Sequence, residues 1–349
     1  MRRYLSVLYI LLSVACGVRA HDFMITQNGQ KIYFNISDER KLTVEVTYGG
    51  SITAKDAVKP AGDITIPEKV RHNNKTYTVK AVGAKAFANA TGLTAITLPS
   101  GLSEIHDFAF ENCTGLKSVV FPANQVKFGQ GTFFKCTSIE TVSFGSDWKQ
   151  IDFTVFRWTD KLVEITVPAK VERMYNINRL KGLKRVTVDN NNIRYSASEG
   201  VVYTKDGRVL LACPLGYEGL LKVADGVTTI KAGAIMGCKE ITSVELPASL
   251  ALMSFREFSK MQALQSVTFR AEKPIVTAKD KDGEHFVIQL PNGGGRIFVP
   301  KSGLKDYKSA IVSKDGEYME NSPKAVVPYA VKAMELANAK NFTGVKTLK

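Results

Sequence analysis

Apolar residues recur along the middle of the chain with a fixed period. Phenylalanine stands at four positions spaced 23 residues apart: Phe87, Phe110, Phe133 and Phe156. A Leu or Ile follows each of them after six residues, and further apolar residues follow after nine and eleven, as at Leu93, Ile96 and Leu98. The last two positions alternate with other residues, which predicts a short strand with one buried face. Repetition at a fixed interval predicts a stack of equivalent coils.

The spacing Leu-x-x-Leu-x-Leu within each coil is typical of a leucine-rich repeat, whose period is about 20 to 29 residues. Seven coils can be counted from their first apolar residue, at positions 87, 110, 133, 156, 177, 235 and 258. The coil at Ile177 is two residues short. We therefore predict a leucine-rich repeat solenoid, in which parallel strands stack into a sheet and short helical or irregular segments form the convex side.

The repeats span residues 68–271 and are interrupted once, between residues 190 and 222. Within the interruption, strands are predicted at 200–204 and 208–212, and Lys205, Asp206 and Gly207 supply a turn between them. We therefore expect an inserted β-hairpin, after which the repeat pattern resumes.

Covers are expected at both ends of the stack, because a terminal coil exposes its apolar face. Residues 21–67 partly alternate apolar and polar positions, which predicts a β-rich N-terminal cap. Residues 272–325 are predicted as a C-terminal cap with a strand at 296–300 and a helix at 302–311. Residues 326–349, rich in Ala and Lys, are predicted as a helical or flexible tail.

The first twenty residues have the pattern of a secretory signal peptide. Basic residues come first, a short apolar run follows, and Val18 and Ala20 precede His21, which favours cleavage after Ala20. An alternative is a lipid anchor at Cys16, because the residues before it resemble a bacterial lipobox shifted by one position. No stretch reaches the roughly 18 apolar residues of a transmembrane helix. We expect a secreted or surface-associated protein.

The formal net charge is +14 at pH 7. Cleavage after Ala20 removes three arginines and no acidic residue, which lowers the charge to +11. A basic exported protein favours acidic partners such as an anionic glycan. The alternative interpretation is an evenly solvated basic surface.

Four cysteines remain after such cleavage: Cys113, Cys136, Cys213 and Cys238. Equivalent residues of stacked coils lie about 5 Å apart, so Cys113 and Cys136 are close enough for a disulfide. Ala90 and Thr159 occupy the same repeat position in other coils, however, which indicates a small buried position. Free core thiols are therefore favoured.

Candidate ligand-binding residues lie eight and ten positions after the first residue of each coil. These side chains point away from the core and line one face of the stacked strands. They are mostly Ser or Thr, and the candidates are Thr97, Ser118, Thr141, Ser143, Thr166, Arg185 and Thr187. Such a face suits hydrogen bonds to a protein or a glycan and does not suit a nucleic-acid phosphate backbone. The alternative is that Thr is simply a good exposed strand residue.

Two tryptophans occupy different repeat positions. Trp158 follows Phe156 by two residues, where other coils carry polar residues, so it is either an interface anchor or packs onto neighbouring side chains. Trp148 shares its position with Leu102 and is predicted to lie in the core.

No catalytic motif is present, and we predict neither an enzyme nor a cofactor or metal site. The four histidines lie far apart, without HExxH, CxxC or a serine elbow. One alternative is copper chelation by His21 as a new N-terminus, which requires a second facing histidine.

The segment Ala109–Pro122, with the pattern A-F-x-x-C-x-x-L-x-x-V-x-x-P, resembles the repeat of BspA-like surface proteins. The resemblance extends to the lead-in Pro67–Phe87, to the inserted segment Glu199–Pro214 and to Tyr307 with the residues before it. BspA-like proteins are exported leucine-rich repeat proteins, common in Bacteroides and related mucosal bacteria, and known members adhere to host matrix proteins or to other bacteria. The resemblance implies adhesion to a surface or extracellular-matrix protein; a glycan-binding or structural envelope component is the alternative.

Overall fold

A computed structural model describes residues 21–49, 59–254, 257–258, 260–277, 296–311 and 325–328. The predicted signal peptide and Cys16 lie outside the described residues. The chain divides into two compact units, residues 1–162 and residues 163–349.

Both units consist mainly of short strands. The first unit contains β1 (Phe23–Gln27), β2 (Gln30–Asp38), β3 (Thr43–Thr47), β4 (Gly62–Thr65), β5 (Lys69–His72), β6 (Lys75–Val82), β7 (Leu93–Thr97), β8 (Glu104–Ile105), β9 (Ser118–Val120), β10 (Lys127–Phe128), β11 (Thr141–Ser143), β12 (Gln150–Asp152) and the 3-10 helix η1 (Phe153–Phe156). The second contains β13 (Glu164–Val167), β14 (Arg173–Tyr175), the 3-10 helix η2 (Ile177–Arg179), β15 (Arg185–Val188), β16 (Tyr195–Ser198), β17 (Val201–Thr204), β18 (Val209–Ala212), β19 (Gly219–Lys222), β20 (Thr229–Ile230), β21 (Ile241–Leu246), β22 (Leu252–Met253), β23 (Ser266–Phe269), β24 (Val276–Thr277), β25 (Arg296–Val299), α1 (Leu304–Ile311) and β26 (Ala325–Pro328).

The predicted β-rich N-terminal cap is confirmed. β1, β2 and β3 form an antiparallel meander in which Phe34 pairs with both Phe23 and Val46. β3 then pairs with β6 in parallel, and β6 continues into the parallel strands β8 and β10. The cap and the first coils therefore share one sheet, and Phe34 closes their common core at 0% exposure.

The second sheet of this unit, β4-β7-β9-β11, is wholly parallel. Ile96 pairs with Val119 and Val119 pairs with Val142, so each residue lies beside the residue 23 positions further along. Because side chains alternate between the two faces of a strand, the register places equivalent repeat positions in rows. This is the stack of coils that the period predicts.

The repeated phenylalanines form a ladder through the core of this unit. The ring centroids of Phe87 and Phe110, Phe110 and Phe133, and Phe133 and Phe156 lie 5.1, 5.2 and 5.2 Å apart, and the rings are nearly parallel. Backbone hydrogen bonds between coils reinforce the ladder, since Phe87 N donates to Ala109 O at 2.8 Å and Phe110 N to Thr132 O at 2.9 Å. Ring stacking and backbone hydrogen bonds therefore act together to hold neighbouring coils in register.

The second unit contains the same type of parallel stacking around the insertion. β13 pairs with β15, and within β15 the backbone N–H of Val186 donates to Gly200 O of the inserted segment at 3.0 Å. β17 and β18 pair antiparallel, with Tyr203 opposite Leu210, which confirms the predicted hairpin. β16 adds a third antiparallel strand that was not predicted. Parallel stacking resumes in the sheets β18-β20-β22-β24 and β19-β21-β23-β25-β26.

Three details of the second unit differ from the sequence predictions. Ile177, expected as a buried first residue of its coil, is only half-buried in η2, whereas Leu180 is buried like the residues at its position in the other coils. The C-terminal helix begins at Leu304 and not at 302. β26 pairs with β25 in parallel where a helical or flexible tail was predicted from residue 326; its Val-Val-Pro sequence favours an extended chain.

Candidate binding surface

The outward side chains of β7, β9 and β11 in the first unit form a flat surface that we call the strand face. Its members form two rows across the sheet: Ala95, Ser118 and Thr141, and Thr97, Val120 and Ser143. Thr97, Thr141 and Ser143 are exposed and Ser118 is half-buried, while the alternate residues Ile96 and Val119 are buried. These candidates therefore lie on one face of the sheet, and their role in binding stays a prediction.

The strand face is polar but contains one exposed apolar side chain. Val120 is 41% exposed and lies between Thr97 and Ser143, in strands about 4.8 Å apart. The strand backbones hydrogen-bond to each other along the sheet, so the side-chain hydroxyl groups and Val120 are the groups available to a partner. The surface can therefore donate and accept hydrogen bonds around a small apolar centre.

The remaining strand candidates lie in the second unit. Thr166 pairs with Thr187 and Glu164 with Arg185, and the hydroxyl oxygens of the two threonines lie 2.8 Å apart. Arg185 is exposed at the edge of the inserted segment, where a Cβ atom on Gly200 would lie 3.0 Å from Arg185 Cγ. The structure thus brings Arg185 together with the two threonines, and Gly200 allows the insertion to pack against it.

One strand position does not follow the repeat expectation. Thr268 lies ten residues after Phe258 and was expected to be exposed, but it is buried at 4% exposure, as is its register partner Phe298. The expectation of an outward hydroxyl at this coil is wrong, because the face of β23 and β25 is covered here.

Trp158 lies in the turn after η1 and not on a strand. It is 41% exposed, its ring lies 5.4 Å from that of Phe134 at 90°, and the Arg157 guanidinium lies 5.0 Å from the ring centre. Trp158 therefore both packs on neighbours and stays accessible. Trp148 is in the core as predicted, at 0% exposure, and its indole N–H donates to Pro122 O at 3.1 Å.

Sequence reasoning missed the surroundings of Trp158. A groove with a cavity volume of about 650 Å³ is lined by Trp158 with Phe108, Phe128, Phe134 and Val155. The signal that pointed to it is Phe134: among the seven coils it is the only aromatic residue directly after the first apolar residue. Trp158 is exposed and the other four side chains are half-buried, in contrast to the buried phenylalanine ladder.

All four described cysteines are free and buried, as favoured from the sequence. The Cys113 thiol donates to Phe87 O at 3.1 Å and the Cys136 thiol to Phe110 O at 2.9 Å, each reaching back to the preceding coil. Hydrogen bonding with Cys136 and burial raise the pKa of Cys113. Burial and hydrogen bonding with Cys238 likewise raise the pKa of Cys213. These thiols are core groups with low reactivity.

The described histidines and carboxylates do not cluster into a metal site. Within the part of the chain that the structure describes, no group of three or more His, Cys, Asp or Glu side chains is placed to hold a metal ion. The ring of His21 packs 4.6 Å from that of Tyr33. His106 lies 3.5 Å from a carboxylate oxygen of Glu45 and 3.4 Å from one of Glu104. No helix among the described residues is long and apolar enough to cross a membrane.

Parallel coils in a 23-residue register, a buried phenylalanine ladder and a strand face define a leucine-rich repeat solenoid. The family model described as the BspA type leucine rich repeat region matches residues 65–178 and 220–278 in six copies. This region of the chain belongs to the BspA-type leucine-rich repeat family. Proteins built on such solenoids are generally binding proteins and not enzymes.

Several solved structures are similar to the chain at low sequence identity. The pneumococcal vaccine antigen PcpA is 17% identical with a TM-score of 0.46, and the match covers 88% of this chain and 98% of that one. A leucine-rich repeat protein from Bacteroides ovatus is 18% identical with a TM-score of 0.45, covering 88% and 91%. A leucine rich cell surface protein from Faecalibacterium prausnitzii is 20% identical with a TM-score of 0.39, covering 81% and 90%. No curated protein matches the chain.

Proposed function

We propose that the chain is an exported, non-enzymatic surface protein that adheres to a host or bacterial surface protein, or to an extracellular-matrix protein, through the strand face. The observation that carries the proposal is the row arrangement of exposed hydroxyl groups around Val120 on a parallel sheet. A sheet supported from below by a packed core changes shape little on binding, so few side chains lose freedom there. The BspA-type repeats support the same role.

Export is the second part of the proposal and rests on the N-terminal sequence. Cleavage after Ala20 yields a secreted or surface-associated chain that begins at His21, whereas modification of Cys16 yields a lipid-anchored one. Either route brings the strand face to molecules outside the cell. Both are compatible with adhesion, so the proposal does not depend on which route is used.

The experiment uses residues 21–349 carrying a biotin label, presented to immobilised matrix proteins and to protein fractions of bacterial envelopes. A bound protein is identified, and its affinity is compared for the unchanged chain, Thr141→Arg on the strand face and Thr137→Arg in a turn of the same coil. Both threonines are exposed, so the two variants add the same charge and bulk. We expect Thr141→Arg to weaken binding at least roughly tenfold, and Thr137→Arg to leave it unchanged. Equal affinities of the two variants contradict the assignment of the strand face.

An envelope component that binds glycans is the second candidate, favoured by the formal net charge of +14. Glycan binding can be distinguished from adhesion to a protein by its response to salt and to proteolysis of the target. Binding to an acidic glycan weakens steeply with salt and survives proteolysis of the target. Binding that disappears when the target is digested supports the adhesin.

A further inference from the structure

The half-buried side chains of Phe108, Phe128, Phe134 and Val155 and the exposed side chain of Trp158 line one groove in the first unit, which we call the aromatic groove. Its cavity volume of about 650 Å³ lies within the roughly 300–1,000 Å³ of small-ligand sites. None of its five lining side chains belongs to the strand face. The groove therefore offers a second surface, independent of the proposed adhesion site.

The backbone beneath the groove adopts a conformation that is costly for a large side chain. Phe108 has a φ angle of 55°, in the left-handed region, and so does Gly131 at the equivalent position of the next coil, with 61°. Glycine adopts this region freely, whereas a bulky residue does so at a cost. A Cβ atom on Gly131 would lie 2.5 Å from the Phe108 ring, so Gly131 also provides the space in which that ring lies. Lys85, at the equivalent position of the preceding coil, has a φ angle of 57°, so this conformation is a regular feature of the turn in these coils. What distinguishes Phe108 is that the turn carries a half-buried aromatic ring.

Two cations lie against the aromatic rings at the edge of the groove. The Arg157 guanidinium is 5.0 Å from the centre of the Trp158 ring, and Lys135 Nζ is 5.3 Å from that of Phe134. Both contacts are within the range of cation–π attraction, which orients the cations without neutralising them. In the described part of the chain neither Arg157 nor Lys135 forms an ion pair. The acidic residue of the lining is Asp152, whose carboxylate accepts from Thr154 N at 3.0 Å and from its hydroxyl at 2.7 Å.

The backbone of the groove is already used by the coils themselves. The N–H of Gly129 donates to Ile105 O at 2.7 Å, the N–H of Gln130 donates to Asp107 Oδ1 at 2.7 Å, and Gln130 O accepts from Phe108 N. An extended peptide therefore finds little main chain with which to pair. The groove presents an aromatic surface to a ligand. The side chains of Gln130, Thr154 and Arg157 lie at the edge of this surface. Sugars match that combination, because a pyranose has an apolar C–H face and a ring of hydroxyl groups.

We propose that the aromatic groove binds an acidic oligosaccharide. The C–H face of a sugar ring packs on the aromatic side chains, hydroxyl groups hydrogen-bond to Gln130 and Thr154, and a sugar carboxylate faces Arg157 and Lys135. The carboxylates of Asp152 and Asp107 already accept hydrogen bonds from Thr154 and from Gln130 N, whereas Arg157 and Lys135 form no ion pair in the described part of the chain. These two cations, together with the basic charge of the whole chain, favour an anionic ligand over a neutral one.

The test titrates residues 21–349 with two matched pairs of sugars: tetragalacturonate against maltotetraose, and sialyllactose against lactose. The chain has two tryptophans, of which Trp148 is buried and Trp158 exposed, so a change in tryptophan emission on binding reports on the groove. We expect at least one acidic sugar to bind roughly tenfold more tightly than its neutral match, with an affinity that falls as salt is added. If neither acidic sugar binds more tightly than its neutral match, the proposal is overturned.

Variants locate the binding and separate it from the strand face. Trp158→Ala is expected to weaken binding of the acidic sugar at least roughly tenfold, and Arg157→Gln to remove the preference for the acidic member of the pair. Arg71→Gln, which removes an exposed arginine from β5, and Thr141→Arg on the strand face are expected to bind as the unchanged chain does. Circular dichroism checks that each variant is folded. Sugar binding that survives Trp158→Ala, or is lost in Thr141→Arg, overturns the proposal, as does a Trp158-dependent protein partner without sugar binding.

Discussion

At the scale of single residues, the fold depends most on the phenylalanine ladder. Phe110 and Phe133 each lie between two other rings of the ladder, and the centroid of Phe133 lies 5.2 Å from those of both Phe110 and Phe156. A large buried side chain stabilises the fold by its transfer from water and by close packing, and its truncation leaves a cavity that the coils on both sides cannot fill.

We expect Phe133→Ala to lower the free energy of unfolding by about 3–5 kcal/mol. Phe134→Ala is the matched control, because the neighbouring side chain is half-buried and should cost clearly less. Urea unfolding followed by circular dichroism measures both values. If the two variants lose similar free energies of unfolding, the ladder is not the main source of stability.

A buried carboxylate makes the second unit sensitive to pH. Glu257 is 0% exposed and accepts from Gly233 N at 2.6 Å and from Ile235 N at 3.2 Å. Burial raises the pKa of this carboxyl above its ordinary 4.5, although the backbone hydrogen bonds lower it in part. The folded chain therefore holds the proton more tightly than the unfolded chain does.

It follows that Glu257 contributes less to stability as pH rises from about 4.5 through its raised pKa. We expect Glu257→Gln to remove this contribution, so that the stability of the natural chain relative to the variant declines as the pH is raised from 4.5 to 8. Urea unfolding at a series of pH values tests this. Glu240→Gln removes an exposed carboxylate from the same unit and controls for the loss of charge. A constant difference across the series would show that Glu257 does not titrate as expected.

At the scale of elements, the coil that contains β11 turns close to the preceding coil, and Gly145 provides the space. A Cβ atom on Gly145 would lie 1.8 Å from the carbonyl oxygen of Pro122, which also accepts the indole N–H of Trp148. Phe144 and Gly145 come directly after β11. Other coils carry proline at the position of Gly145, where the strand ends. The chain can therefore reach Trp148 only if this position has no side chain.

We expect Gly145→Ala to destabilise the chain by about 1–3 kcal/mol, because the added methyl group displaces the Pro122 carbonyl. Gly101→Ala is the control: its Cβ would meet its nearest atoms at 3.5 Å, an ordinary contact. The control should be neutral or slightly stabilising, since alanine restricts the unfolded chain. Thermal unfolding of both variants checks the difference, and a stable Gly145→Ala would contradict the close approach.

The sequence predicts those elements whose spacing of apolar residues recurs along the chain. Phe110, Leu116 and Val119 identify a coil only because the same spacing recurs 23 residues later, and the parallel register follows from that spacing. β16 occurs once and has no repeat to identify it. The aromatic groove was missed for a related reason: Phe108 and Phe128 are close to Trp158 only through stacking of three coils, and their spacing alone does not show which side chains remain half-exposed. The strand face was predictable because it uses the same period as the core.

At the scale of the whole molecule, the net charge of the chain bears on which surfaces it would meet after the proposed export. The chain carries a formal net charge of +14, to which Arg2, Arg3 and Arg19 of the predicted signal peptide contribute three. Cleavage after Ala20 therefore leaves a chain of +11 that still favours acidic surfaces. Buried thiols with raised pKa, such as Cys113, suit such a destination because they resist oxidation and disulfide exchange.

The final prediction concerns the proposed export and the N-terminus that it would produce. Signal peptidase requires small residues at the positions that Val18 and Ala20 occupy, whereas Arg19 lies between them and is not restricted in this way. We expect intact-mass spectrometry of the chain from the producing cells to show a mature N-terminus at His21, Ala20→Tyr to retain the leader, and Arg19→Lys to be processed normally. A lipid-modified species beginning at Cys16, lost in Cys16→Ser and indifferent to Ala20→Tyr, would instead establish the anchored form. In that case the strand face and the aromatic groove would act at the cell envelope itself, and binding should be measured on whole cells.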